Sequence, residues 1–215
     1  MANIPRVCKH FRDLMNAAMM WKSFGSLDDF GCLKYNKQMF DNLLDRHGHQ
    51  FRKLYFNGEF RHLLAQVSLD YVYGKLSLCC NLKVLDLTSN MIVEEIPFIA
   101  NMPNLERIFL EWCTQLIPES VTTSLCEDCP KLKQLSLRKC KQFDESEIIN
   151  IVFSHKSLEI LDISDTKTLN VKSATAMCAA LSHLKEFGFS ANLYENSIGE
   201  WLHFENIFSF ICFDF

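Results

Sequence analysis

Glycine and proline are scarce, with 7 Gly and 5 Pro in 215 residues, about half their usual combined share. Collagen-like and low-complexity disordered chains, which depend on those residues, are excluded. No block of like charges occurs either. With 22 Lys+Arg against 26 Asp+Glu, the formal net charge is -4, and the chain lacks the basic stripe that a nucleic-acid partner requires. No apolar run reaches the roughly 18 residues of a membrane span. The apolar stretch Trp201 to Phe215 is interrupted by Glu205, Asn206 and Asp214. The uncharged run Leu14 to Trp21 is short, contains Asn16 and follows Arg6, Lys9, Arg12 and Asp13, which does not suit a secretory signal. Neither nucleic acid nor membrane is expected as a partner.

Catalytic spacings are missing as well: no G-x-S-x-G, P-loop or H-E-x-x-H is present, so nothing places Ser, His and Asp in catalytic roles. Ten cysteines are too few per residue for a small disulfide scaffold, and 48% hydrophobic residues build a core without staples. They read as reduced thiols of an intracellular protein, in the cytoplasm or the nucleus. Cys126 and Cys129 form a C-x-x-C, which suits a redox pair or half a zinc site, but no second C-x-x-C follows at zinc-finger spacing. Cys79 and Cys80 are adjacent, a poor geometry for one metal. His47 and His49 sit in DRHGHQ, read as a polar helix end and turn. No metal, no cofactor and no catalysis by this chain are expected.

What the chain does contain is a repeat. L-x-x-L-x-L, with Ile or Phe replacements, recurs as Leu82, Leu85, Leu87; Leu105, Ile108, Leu110; Leu132, Leu135, Leu137; Leu158, Leu161, Ile163; and Leu184, Phe187, Phe189. The first positions are 23, 27, 26 and 26 residues apart. Phe51, Leu54 and Phe56 supply an opening repeat after a longer gap of 31. The alternation within each block predicts a short strand with its two later apolar residues on one face. Helical signals fill the intervals, such as Asp144 as an N-cap before EIINIVF and Asn170 before VKSATAMCAAL. Each unit is therefore read as strand plus helix. Such units must stack to bury their apolar sides, which predicts an α/β leucine-rich-repeat solenoid, a horseshoe of about six to seven strand-helix repeats.

Eight residues after each first Leu stand Asn90, Cys113, Cys140, Thr166 and Asn192, small polar or thiol side chains suited to bonding turn backbone. Cys79 and Cys129 stand three residues before the first Leu of their units. The CPKLKQLSLRKC stretch resembles the cysteine-containing subclass of leucine-rich repeats common in F-box and leucine-rich-repeat proteins.

The N-terminal residues strengthen that likeness. RVCKHFRDLMNAAMMWKSF, residues 6 to 24, places Val7, Phe11, Leu14 and Ala18 along one side of a helix. Its Val-Cys-Lys start, its aromatic Phe11, Leu14, and Trp21 followed by Lys22 and Ser23 resemble the second half of an F-box. Met1 to Pro5 do not supply the Leu-Pro and acidic opening of that module. Residues 1–24 are thus expected to be a partial, helical F-box, 25–50 a helical bridge with Asn36 capping a helix through Met39, Phe40, Leu43 and Leu44, and 51–215 leucine-rich repeats with an incomplete last one. The resemblance implies a substrate-recognition subunit of a Skp/cullin/F-box ubiquitin ligase. Val7, Phe11, Leu14 and Trp21 would contact the Skp-family adaptor, and cullin would be a further partner. A repeat scaffold without ubiquitin transfer is the alternative, favoured by the missing first half of the F-box.

The alternation also defines the exposed strand rows. One reads Tyr55, Asp86, Phe109, Ser136, Asp162 and Gly188, and the next Asn57, Thr88, Glu111, Arg138, Ser164 and Ser190. Most of this face is expected to be a solvated sheet. Phe109 with Arg107, Glu111 and Trp112 gathers aromatics and opposite charges near the middle, the chemistry of binding hot spots, although Trp112 is equally compatible with packing beneath the next turn. Tyr55, Asp86, Arg107, Phe109, Glu111, Trp112, Arg138 and Asp162 are the candidate surface for a protein substrate. Finally, Leu184 plus 26 reaches Phe210, and Phe210, Phe213 and Phe215 again satisfy the apolar positions. A seventh repeat broken off there would leave an apolar edge and favour self-association.

Overall fold

Each apolar block becomes one strand, and the strands line up in the order in which they occur in the chain. A computed structural model of the protein describes residues 23–24, 37–56, 67–166 and 171–189. Among these residues a single sheet has seven strands, all parallel, with neighbours in sheet and sequence identical. They are β1 (Ser23–Phe24), β2 (Lys53–Tyr55), β3 (Val84–Asp86), β4 (Arg107–Phe109), β5 (Gln134–Ser136), β6 (Ile160–Ile163) and β7 (Glu186–Phe189). The register joins equivalent positions: Leu54 pairs with Leu85, then Ile108, Leu135, Leu161 and Phe187. The fold is α/β with one all-parallel sheet.

Parallel neighbours require a crossover, and helices supply it. Among the described residues these are α1 (Lys37–His47), before β2, and α2 (Leu69–Leu76), α3 (Pro118–Asp128), α4 (Glu145–Ser154) and α5 (Val171–Ala180), between later strands. The expectation of a helix in every unit needs one correction. Between β3 and β4 the chain makes only the 3-10 turn Pro97–Asn101. This is the 23-residue interval, too short for the longer crossover of its neighbours, and Phe98 and Ile99 fill the core there instead. No helix among the described residues is long and apolar enough to cross a membrane.

The core follows the motif. All three positions of the first four blocks, from Phe51 to Leu137, are buried at 0–1% exposure, and the helices add Val72, Leu76, Val121, Leu125, Ile148, Ile151 and Met177. Asp144 caps α4 as expected. Its carboxylate accepts from the Ser146 and Glu147 backbone N–H groups, and Glu147 reaches back to the Asp144 N–H, a complete capping box. The N-cap position Asn170 lies outside the described residues, as does Asn36.

At the N-terminal end α1 buries Leu43 and Leu44 and is tied to α2 by Lys75, whose Nζ lies 2.6 Å from Asp45 and 3.6 Å from Asp41. The following Gly48 is buried, and a Cβ there would lie 3.2 Å from Leu78 Cβ and 3.3 Å from Leu78 O. The helical reading of residues 6–24 is corrected at its end. Ser23–Phe24 pair with Lys53 and Leu54 as a strand, so the sheet begins one strand earlier than the repeat spacing indicates. Val7, Phe11, Leu14 and Trp21 lie outside the described residues.

Candidate partner-binding face

Each unit leaves its strand through the same three bonded positions. Past the strand the ladder continues, with the N–H of Leu87, Leu110 and Leu137 donating to Phe109, Ser136 and Asp162 carbonyls, and that of Ser89, Trp112 and Lys139 to Glu111, Arg138 and Ser164 carbonyls. Ser89, Trp112, Lys139 and Asp165 then all have positive φ, from 57° to 63°, the left-handed turn that points the chain toward the next crossover. The next residue binds the unit behind it. Asn90 donates to the Phe56 carbonyl at 3.3 Å, Cys113 Sγ to Leu87 at 3.0 Å and Cys140 Sγ to Leu110 at 2.9 Å. Thr166 departs, donating to Ile163 of its own unit.

Burial pushes the Cys113 and Cys140 thiols up to about 12 and about 11, which keeps them protonated and able to donate. It also pushes Cys79 and Cys129 up to about 12, the direction opposite to that of a reactive redox thiol. The described cysteines are all free. Among the described residues no group of three or more His, Cys, Asp and Glu side chains is arranged to hold a metal.

The exposed sheet face carries most of the candidate residues. Asp86 and Asp162 are half-buried because each closes its strand, accepting the N–H two residues on at 2.8 Å (Thr88) and 2.9 Å (Ser164). Tyr55 and Arg138 are half-buried and Arg107 is exposed. The solvated-sheet expectation fails in the middle, where Ser136 and Ser164 are only 4% exposed. Ser136 lies between Phe109 and Asp162 of the flanking strands, and its Oγ donates to Glu111 Oε1 at 3.0 Å.

Phe109, Glu111 and Asp162 come together along a depression of about 220 Å³ that crosses β4 to β7. Tyr55, Asp86, Arg107, Trp112 and Arg138 do not line it. Trp112 does not join it. Its left-handed backbone leaves it 44% exposed, with Lys139 Nζ 4.1 Å over its ring, a cation–π contact. Gln134, Ile160 and Glu186, which also line the depression, were missed as site residues. Alternation signals them, since they stand two residues before Ser136, Asp162 and Gly188 and therefore share their face.

No family model and no curated protein matches the chain. Among solved structures it is similar to a tropomodulin C-terminal domain from Caenorhabditis elegans, at 14% identity and a TM-score of 0.48, with 68% of this chain and 91% of that one covered.

Proposed function

We propose that the protein is a leucine-rich-repeat horseshoe that serves as the substrate-recognition adaptor of a Skp/cullin/F-box ubiquitin ligase, working in the cytoplasm or nucleus. The single observation behind this reading is the order of elements along the chain. Residues resembling the second half of an F-box, Val7, Phe11, Leu14 and Trp21, come before six in-register units, among which the CPKLKQLSLRKC stretch resembles the cysteine-containing subclass. In this role residues 1–24 dock on the adaptor and the exposed strand face holds a target protein. The chain's contribution to ubiquitin transfer is proximity rather than bond chemistry. A pull-down of the tagged protein from cell lysate is expected to recover a Skp-family adaptor and a cullin; recovery of neither overturns the reading. The second reading, a repeat scaffold without ubiquitin transfer, predicts protein partners but no cullin.

A further inference from the structure

The depression across β4 to β7 owes its shape to small residues and its charge to acidic ones. Ser136 and Gly188 leave space on β5 and β7, while Phe109 stands as a wall on β4. A Cβ on Gly188 would lie 2.7 Å from Asp162 Oδ1, so glycine is what admits the carboxylate at this place. Glu111, Asp162 and Glu186 line the space, and among the described residues no Lys or Arg does. Asp162 and Glu111 each engage one oxygen within the fold, with the Ser164 N–H and the Ser136 hydroxyl. Phe109 and Ile160 supply apolar surface beside them.

We propose that this groove binds an extended basic segment of a partner protein, with an Arg or Lys stem along Phe109 and Ile160 and its cationic head among Glu111, Asp162 and Glu186. The inference rests on the strand face being the surface that holds the target, and it names that target's chemistry. A partner covering three carboxylates without bringing positive charge leaves them desolvated and unpaired, which is costly. Arg or Lys satisfies both halves of the lining, because its methylenes cover apolar surface while its head pairs with carboxylate. Four adjacent strands span about 14 Å, the reach of about four extended residues, so a linear segment fills the groove.

The test is selection of a random 12-residue phage-displayed peptide library on the full chain. The expected pool is rich in Arg and Lys flanked by apolar residues. Its peptides should bind the triple variant Glu111→Gln, Asp162→Asn, Glu186→Gln at least tenfold more weakly. The amide oxygens introduced at positions 111 and 162 still accept from Ser136 and Ser164, so the fold is retained. Gly188→Ala, which displaces the Asp162 carboxylate, should weaken binding too, with an unchanged circular dichroism spectrum. A pool without cationic bias, an empty pool, or equal binding by the triple variant overturns the proposal. The ligase reading fails separately: peptide binding without adaptor recovery removes only the ligase, and adaptor recovery with an empty pool removes only the groove.

Discussion

The Cys140 thiol donates to the Leu110 carbonyl, 2.9 Å away and one unit upstream. Equivalent bonds from Asn90 and Cys113 make one recurring position the stitch between successive units. Replacing Cys140 by Val removes the donor and adds a methyl group at a fully buried site, so it should cost at least about 1 kcal/mol, the net worth of a typical hydrogen bond. Cys140→Ser keeps a donor and should cost less. Urea unfolding of the two variants decides the order, and a Val variant as stable as the parent would remove the stitch from the account.

The raised thiols predict an alkaline limit. The folded state holds Cys79, Cys113 and Cys129 at about 12, above the ordinary 9.0, so the unfolded chain releases protons first. Their contribution is complete below pH 9 and is lost as pH rises from 9 toward 12. Thermal melting between pH 8 and 11 should show falling stability. In the same native protein, iodoacetamide should label exposed Cys80 well before Cys113 or Cys140, and any native disulfide found by mass spectrometry would contradict the free-thiol assignment.

Leu135 and Leu161 sit at the centres of neighbouring strands with 0% and 1% exposure. Truncation of either to Ala should cost about 2–5 kcal/mol, the transfer and cavity terms of a buried Leu. Chemical denaturation measures it, and a loss under about 1 kcal/mol at both would be incompatible with their packing.

Ser89 has φ 59° and is exposed, so a Ser89→Gly change relieves a left-handed conformation without emptying the core. The relief of about 1–2 kcal/mol exceeds the added entropy of the unfolded chain, about 0.5–1 kcal/mol. A small gain in stability, read as a raised melting temperature, is expected. Lys139→Gly should gain less, because it also removes the contact with Trp112.

The seventh block, Phe210, Phe213 and Phe215, lies outside the described residues. Its 26-residue spacing from Leu184 and its apolar character carry the expectation that the full chain self-associates or needs a partner across Trp201 to Phe215. Light scattering of the full chain against a version ending near Asn192 tests this, and equal monomeric behaviour at matched concentration would remove the tail from that role.

Strand positions and core were legible because the motif repeats the same apolar spacing, and in Leu85 to Leu161 every matched position pairs with its counterpart. The helices were less so: the short interval before β4 hides its 3-10 turn, and Ser23–Phe24 become a strand through pairing with β2, for which local sequence offers no sign. The left-handed corner was invisible because Ser89, Trp112, Lys139 and Asp165 share a position and not a residue type. At the site, Phe109, Glu111 and Asp162 were found from alternation. The depression itself depends on the smallness of Ser136 and Gly188, a property of neighbours in space.

From the second unit on, the residue after the first apolar position is, in turn, Lys83, Glu106, Lys133, Glu159 and Lys185, whereas the opening unit carries Arg52 there. Lys83 meets Glu106 at 2.6 Å, and Glu159 meets Lys185 at 2.5 Å and Lys133 at 3.9 Å. Hydrogen bonds from Lys83 and Lys185 hold the Glu106 and Glu159 carboxyls below the usual carboxylate range. Each pair is weak at an exposed edge, but from Lys83 to Lys185 the signs alternate, so that stretch of the array has parity. Excising the unit of Glu106 sets Lys83 beside Lys133, and excising that of Lys133 sets Glu106 beside Glu159. Removing both restores opposite neighbours, Lys83 beside Glu159. A protein assembled this way tolerates shortening or duplication by twos more readily than by ones.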